Sequence, residues 1–177
     1  ANIRRMTSRN PGSSTRSSAS STDTHARLIE AAAKAGKAIF CEKPMATDSA
    51  GIRHVMESVR MSKEAKLNIV AGYCWRYSLP RREFFKRINE GEIGEVLAMY
   101  GTYLTGPVKP MQAPSQRKDG VGDLEWQMRN WMNFTWLAGD GFVEQCIHTV
   151  DKMMWAFGDK PPAKVVANAM ALSRTEQ

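Results

Sequence analysis

The sequence has few cysteines and no long apolar run, and each shortage excludes a class of protein. The three cysteines, Cys41, Cys74 and Cys146, are an odd number and lack the pairwise spacing of metal-binding motifs. They indicate neither a disulfide framework nor a metal centre, so no metal is expected. No stretch approaches the roughly 18 apolar residues that a membrane-spanning helix requires, and no secretory signal is visible.

Glycine and apolar residues are also scarce in the N-terminal segment of the chain. Residues 1–22 contain one glycine, Gly12, and a serine-rich tract, and this composition predicts a disordered leader. Four arginines of this leader contribute to the formal net charge of +7. They are not interleaved with stacking aromatic residues, so no nucleic-acid partner is expected.

From residue 23 onward the pattern changes to alternating helices and strands. The sequence predicts a capped helix over 23–35, a short strand over 38–41, a second helix capped by Thr47 and Asp48, and a buried strand over 67–71. This order is typical of a parallel, doubly wound sheet.

Beyond Gly72 the predicted elements change in character, because longer strands now follow the helices. They are a helix from Pro80 to Gly91, a strand over 94–105, a loop over 106–122, an aromatic-rich segment over 124–138, a helix over 141–157 and a strand over 163–169. This arrangement predicts a second domain of α+β type.

A charged residue stands at the end of the first predicted strand, in Glu42-Lys43-Pro44. Ligands of open α/β sheets bind at the carboxyl ends of the strands, and a proline restricts the backbone of the residue before it. We therefore expect Lys43 to project from a defined backbone into a ligand site.

A second candidate group lies on the predicted helix over 141–157. Glu144 and His148 are four residues apart and Asp151 follows three residues later, so all three share one helix face. A carboxylate one turn from a histidine can orient the ring and favour its protonated form, which is how a general base is built. A half-buried helix with satisfied polar groups fits the spacing as well. A zinc-protease site requires a second histidine, and only one is present here.

Several motifs of the chain occur in the same order in one enzyme family. They are Glu42-Lys43-Pro44, Gly72-Tyr73-Cys74-Trp75-Arg76-Tyr77, the segments 91–96 and 126–145, and the triplet of Glu144, His148 and Asp151. Over about residues 23–170 the chain resembles the Gfo/Idh/MocA family of NAD(P)-dependent oxidoreductases, which includes glucose–fructose oxidoreductase and inositol dehydrogenase. The commonest family motif has Asp where this chain has Glu144, and the surrounding sequence resembles a bacterial subgroup with Glu.

The resemblance implies a fold class and a division of the chain. We expect an α/β protein with a disordered leader at 1–22, the C-terminal part of a Rossmann-type parallel sheet at 23–77, and an incomplete α+β substrate domain at 78–177. The family begins with a strand and a Gly-x-Gly-x-x-Gly turn, whereas residues 17–22 here are polar. The chain therefore resembles an N-terminally truncated fragment behind an unrelated leader, as a truncated or frame-shifted gene would give.

The resemblance also implies roles for individual residues, with NAD or NADP as the cofactor. Lys43 would polarise the reacting hydroxyl, His148 would take its proton, and Glu144 would fix the substrate or the imidazole. The cofactor side of the cleft would include His25, Glu42, Lys43 and Pro44, and the substrate side would include Arg76, Tyr77, Trp131 and Asp151. A structural ion pair is an equal alternative for Arg76, and an ordinary core position is the alternative for the tryptophan.

For the whole enzyme, the family implies hydride transfer between NAD(P) and a hydroxyl of a sugar or cyclitol. Two alternatives stay open: a non-catalytic module that binds carbohydrate or dimerises, and a redox-assisted enzyme that cleaves glycans. We expect the full-length protein to form a homo-oligomer. Both a cytoplasmic and a periplasmic location fit the sequence.

We expect this chain to bind NAD and NADP weakly or not at all. The glycines of the family turn let the pyrophosphate reach backbone N–H groups at a helix N-terminus, and no such turn precedes Thr24. Calorimetric titration of the chain with each dinucleotide measures this directly. A micromolar dissociation constant for either dinucleotide would contradict the expectation.

Overall fold

A three-stranded parallel sheet organises the first part of the molecule. The computed structural model describes residues 15–17, 22–106 and 108–168. The strands are β1 (Thr15–Ser17), β2 (Ile39–Glu42) and β3 (Ile69–Gly72), in the order β1-β2-β3. Helix α1 (His25–Lys34) connects β1 to β2, and helix α2 (Ser49–Glu64) connects β2 to β3. The predicted Rossmann-type parallel sheet is confirmed.

The hydrophobic core lies between this sheet and the two helices, and the spacing of apolar residues along the sequence explains which side chains enter it. Helix α1 buries Ala26, Ile29 and Ala33, which recur every three to four residues and so share one face. They pack with Ile39 and Cys41 of β2, two residues apart on one face of the strand. Burial, followed by the charge of Glu42, raises the pKa of the Cys41 thiol to about 11, so this thiol packs as a small apolar group.

The start of α2 matches the predicted cap. Asp48 lies just before the helix in an extended conformation, and its Oδ1 accepts a hydrogen bond of 2.6 Å from the backbone N–H of Gly51. Gly51 also packs closely here, because a Cβ at this position would lie 2.8 Å from the Cβ of Ala46. The cap and this close packing on Ala46 together hold the start of α2 against the segment that follows Lys43.

The second part of the described chain is helical and irregular. It contains α3 (Leu79–Asn89), α4 (Asp123–Arg129), α5 (Thr135–Ala138), a π-helical turn (Phe142–Cys146) and α6 (Ile147–Ala156), with 3-10 turns at Cys74–Tyr77, Pro114–Gln116 and Trp131–Asn133. The last predicted helix is therefore a π-helical turn followed by an α-helix. Within the described ranges, no helix has both the length and the apolar character needed to cross a membrane.

The two strands predicted for the α+β domain are wrong for the described residues. The segment over 94–105 and the described part of 163–169 form no strand, and residue 169 itself lies outside the described residues. A strand needs a neighbour to pair its backbone groups, and neither segment has one among the described residues. Apolar side chains that a sheet would cover stay exposed, including Leu97 at 82% and Leu104 at 91%.

The structure also corrects part of the predicted leader. Thr15–Ser17 pair in parallel with Ile39–Cys41 of β2. Strand pairing uses backbone N–H and C=O groups, so a polar sequence can add to the open edge of a sheet even though its composition predicts disorder. Thr22, at the end of the predicted leader, is buried. Residues 1–14 and 18–21 lie outside the described residues.

Replacing Gly72 by alanine is expected to destabilise the fold by about 1–3 kcal/mol, as overpacking does. A Cβ would lie 2.7 Å from Oε2 of Glu42 and 3.1 Å from its Cα. The carboxylate can move away, but the backbone of β2 is held by its ladder. Chemical denaturation should show the loss for Gly72→Ala and not for Gly106→Ala, where a Cβ meets nothing within 4 Å. Equal midpoints for the two variants would contradict this packing.

Candidate functional site

The carboxyl end of β2 presents Lys43 as the sequence predicts. The strand ends at Glu42, and the peptide bond between Lys43 and Pro44 is cis. Nδ1 of the buried His25 lies 2.7 Å from the carbonyl oxygen of Pro44. A carbonyl only accepts, so Nδ1 carries the hydrogen and donates it. His25 therefore anchors the segment that carries Lys43.

A buried ion pair joins Lys43 to the π-helical turn. Its Nζ lies 2.8 Å from Oε1 of Glu144 and also donates to the backbone oxygen of Glu144. The two side chains are 14% and 8% exposed. Charges removed from water to this extent require a partner, so the pair fastens the sheet edge to the start of the helix that carries His148.

The turn that contains Glu144 has a local cause in the sequence. Gly139 adopts a left-handed conformation with φ of 78°, and a Cβ there would lie 2.9 Å from the carbonyl oxygen of Thr47. Oδ1 of Asp140 accepts hydrogen bonds from the backbone N–H groups of Phe142 and Val143, at 2.7 and 3.0 Å. The glycine permits close packing on the loop after β2, and the aspartate caps the turn. π-helical turns often occur at functional sites.

His148 lies between two aromatic rings. Its ring stacks on Trp75 with a centroid distance of 5.4 Å and faces Tyr103 at 6.4 Å. The hydroxyl of Tyr103 donates to Oε1 of Gln145 at 3.0 Å, which fixes that ring. The imidazole is thus oriented by ring packing, whereas the resemblance implied that Glu144 would fix either the imidazole or the substrate.

The electrostatic surroundings keep His148 neutral. Burial first, and then the positive charges of Lys43 and Lys152, hold its pKa below the usual 6.5. One interpretation of the spacing was that Glu144 favours the protonated ring, and this interpretation is wrong. The carboxylate of Glu144 binds Lys43 instead, and it is not among the groups that shift the histidine. A neutral imidazole at pH 7 can accept a proton.

Asp151 lies one turn beyond His148 and binds Arg76. Nε of Arg76 lies 2.8 and 3.0 Å from the two carboxylate oxygens of Asp151, and Nη2 lies 2.6 Å from Oδ1 of Asp159. Burial raises the pKa of Asp151, and the charge of Arg76 opposes that rise. The guanidinium also lies over the ring of Trp155. These contacts correspond to the structural ion pair that was the alternative for Arg76.

The remaining predicted residues lie in different surroundings. Glu42 is exposed and packs its carboxylate beside Gly72. Tyr77 is 55% exposed, and Trp131 is half-buried in its 3-10 turn. In the part of the chain that the structure describes, Trp131 makes no hydrogen bond or ring contact with Lys43, Glu144 or His148. The structure therefore brings these last three residues together and leaves Tyr77 and Trp131 outside their contacts.

Three residues of the site were missed by the sequence analysis as individual contributors. Trp75 lies within the family-like segment 72–77, and Lys152 stands four residues after His148, so spacing could have indicated both. Tyr103 comes from a segment that was predicted only as a strand, and no sequence signal linked it to His148.

The polar groups beside His148 can form hydrogen bonds with the hydroxyl of a bound ligand. Oε2 of Glu144 is buried and has no hydrogen-bond partner, and a buried carboxylate oxygen left unpaired is costly. The Lys43 ammonium has three donors, of which two bind Glu144. One acceptor and one donor are thus left for a bound hydroxyl. A cavity of about 390 Å³ opens beside Pro44, Tyr73 and Ile147, but Lys43, Glu144 and His148 do not line it.

Comparisons with known proteins show which proteins the chain is similar to. Residues 9–70 match the model of an oxidoreductase family with an NAD-binding Rossmann fold, Gfo/Idh/MocA. The chain is 31% identical over 151 residues to the inositol 2-dehydrogenase of Rhizobium meliloti (strain 1021), which covers 85% of this chain and 38% of that relative.

Two solved structures share the fold. The apo scyllo-inositol dehydrogenase of Lactobacillus casei superposes with a TM-score of 0.51 at 22% identity, over 79% of this chain and 34% of its own. The aldose-aldose oxidoreductase of Caulobacter crescentus, complexed with glycerol, gives a TM-score of 0.51 at 22% identity, over 79% of this chain and 36% of its own. The chain thus spans little more than a third of the length of these relatives.

Replacing Lys43 by methionine should destabilise the fold by about 3 kcal/mol, because removing one partner leaves the other charge buried. The control is Arg60→Met, which breaks the exposed pairs with Glu57 and Glu64 on α2 and should change stability far less. Urea denaturation of both variants decides the matter. A loss for Lys43→Met no larger than for Arg60→Met would show that the Lys43–Glu144 pair is not held in a buried site.

Proposed function

Because the chain belongs to the Gfo/Idh/MocA oxidoreductase family, we propose that it forms part of an NAD(P)-dependent enzyme that oxidises or reduces a hydroxyl of a sugar or cyclitol. One observation carries the proposal: Lys43 at the sheet edge binds the helix of His148 through Glu144, whose second oxygen is left without a partner. The inositol dehydrogenase relative supports the substrate class.

In this proposal Lys43 and His148 act on the same hydroxyl. When bound, NAD(P) supplies the nicotinamide that accepts the hydride from the substrate carbon. The free N–H of Lys43 donates to the hydroxyl oxygen and stabilises the negative charge that develops there. Neutral His148 takes the hydroxyl proton, and its lowered pKa keeps it ready to do so near pH 7. In the reverse direction the protonated imidazole returns that proton.

Glu144 has two tasks in the proposed mechanism. Its Oε1 holds the ammonium of Lys43 at 2.8 Å, which fixes the donor before the substrate arrives. Its Oε2 accepts a hydrogen bond from a second hydroxyl of the substrate, and sugars and cyclitols carry such neighbouring hydroxyls. This requirement favours a polyhydroxylated substrate over a simple alcohol.

Several predicted residues act by positioning in this proposal. His25 holds Pro44 through its Nδ1–H, so it acts on the cofactor side through the backbone that carries Lys43. Glu42 and Pro44 flank Lys43 at the strand end. Arg76 and Asp151 fasten the 3-10 turn of Trp75 to α6. Direct substrate contact by Tyr77 and Trp131, and homo-oligomer formation by the whole protein, remain predictions.

In the whole protein, His148→Asn should lower kcat by about 10²–10⁴-fold, the usual contribution of a positioned general base, and should change cofactor affinity little. Asparagine keeps much of the shape but does not titrate. His54→Asn is the matched control, because His54 lies exposed on α2. Steady-state oxidation of myo-inositol, D-glucose, D-glucuronate and D-glucose 6-phosphate with NAD and NADP provides the rates. Near-native turnover of His148→Asn would make this histidine structural.

The pH profile of the same enzyme gives an independent check. The acid limb of kcat/KM should lie below pH 6.5, because burial, Lys43 and Lys152 depress the pKa of the base. The neutral base therefore persists as the pH falls to 6.5 and is lost only below that value. An acid limb above pH 6.5 would mean that a different group accepts the proton.

A further inference from the structure

Two cations meet on the ring of Trp75, beside His148. Nζ of Lys152 lies 3.8 Å from the ring centroid, and Cζ of Arg81 lies 4.7 Å from it. The same ring stacks on the imidazole of His148. Arg81 comes from α3 and Lys152 from α6, so the two charges are brought together by the packing of these helices.

These two cations have no carboxylate partner in the described ranges. Among the ion pairs there, none includes Lys152 or Arg81. The other two tryptophans that carry a cation differ in this respect. Arg76 over Trp155 also binds Asp151 and Asp159, and Arg117 over Trp126 also binds Asp123.

The electrostatics of the cluster agree with its geometry. Burial first, and then the charge of Arg81, lower the pKa of Lys152, so each cation disfavours the other. Like charges held together on a structured ring are relieved by a bound anion, which forms charge-assisted hydrogen bonds with both. The Lys152 ammonium makes no hydrogen bond to any of the described residues, so all three of its donors are open to such a ligand.

We propose that Lys152 and Arg81 form an anion subsite next to His148, and that the substrate of the proposed reaction carries a carboxylate or phosphate group. The proposal rests on the proposed function, since it assigns a substrate class to the same site. A sugar acid and a sugar phosphate share the required chemistry: an anionic group attached to a ring of hydroxyls.

The spacing along α6 sets where the anionic group lies. Lys152 follows His148 by four residues, so it stands on the same helix face, about 6 Å further along the axis. Lys43 lies one turn in the opposite direction, at Glu144. A substrate whose reacting hydroxyl lies between Lys43 and His148 therefore extends its anionic group toward Lys152 and Arg81, and Trp75 lies alongside.

The test uses the imidazole of His148 as a reporter and needs neither cofactor nor turnover. NMR titration of the chain follows the ring signals and the pKa of His148 at constant ionic strength, with the signal assigned from its loss in His148→Asn. The probes are D-glucuronate, D-glucose 6-phosphate, D-glucose and myo-inositol. An anion bound at the subsite offsets the charge of Lys152 and should raise the pKa of His148, whereas a neutral sugar should not.

At least one acidic probe should bind about tenfold or more tightly than D-glucose, as expected for charge-assisted hydrogen bonds. Lys152→Gln and Arg81→Gln should each remove most of that preference, and the exposed control Lys63→Gln should keep it. The two acidic probes separate a carboxylate from a phosphate site. Arg81 is exposed, so Arg81→Gln decides the matter if Lys152→Gln fails to fold.

Three outcomes would overturn the inference. If the neutral probes shift the signals of His148 as strongly as the acidic ones, the proposed function stands and the anion subsite is wrong. If no probe shifts them, both the subsite and the sugar site on which it rests are wrong. A preference for anions that survives both glutamine variants would likewise show that other cations bind the ligand.

Discussion

The buried ion pair between Lys43 and Glu144 is the interaction on which the rest of the site depends. One partner comes from the carboxyl end of β2 and the other from a turn 101 positions later in the chain. Two charges that are largely out of water must stay together, because either alone is costly in a medium of low dielectric constant. The pair therefore holds the helix that carries His148 at the carboxyl end of the parallel sheet.

The electrostatic character of the site follows from this constraint. Because Glu144 is committed to Lys43, it does not act on the imidazole, and His148 is left with positive neighbours on both sides and aromatic rings against its faces. Burial lowers the pKa of His148, and the charges of Lys43 and Lys152 lower it further, which suits a base that must be neutral before it takes a proton. The same helix face carries Lys152 one turn later. Along this face lie the Lys43–Glu144 pair, then the neutral His148, then Lys152, which forms no ion pair with any residue that the structure describes.

Local signals in the sequence predicted much of the fold around this pair. The cap at Asp48, the apolar spacing of α1 and the proline after Lys43 each act within a few residues. The structure has β2 and α1 close to the predicted bounds, and α2 begins at the predicted cap. Long-range partners were harder. The residues of the segment over 94–105 favour a strand, but a strand forms only where a neighbouring strand pairs with it. Thr15–Ser17 form a strand because they pair with the open edge of β2. Likewise the spacing of Glu144 and His148 was visible, whereas Lys43, the group that takes the carboxylate, lies far away in the sequence.

The coupling free energy between Lys43 and Glu144 tests the account most directly. It is obtained from the unfolding free energies of the wild type, Lys43→Met, Glu144→Gln and the double variant. A buried, directly bonded pair predicts a coupling of about 1–3 kcal/mol, with the double variant more stable than the sum of the single losses implies. Losses that add within about 0.5 kcal/mol would show that the two groups do not interact, and the link between the sheet edge and His148 would then be wrong.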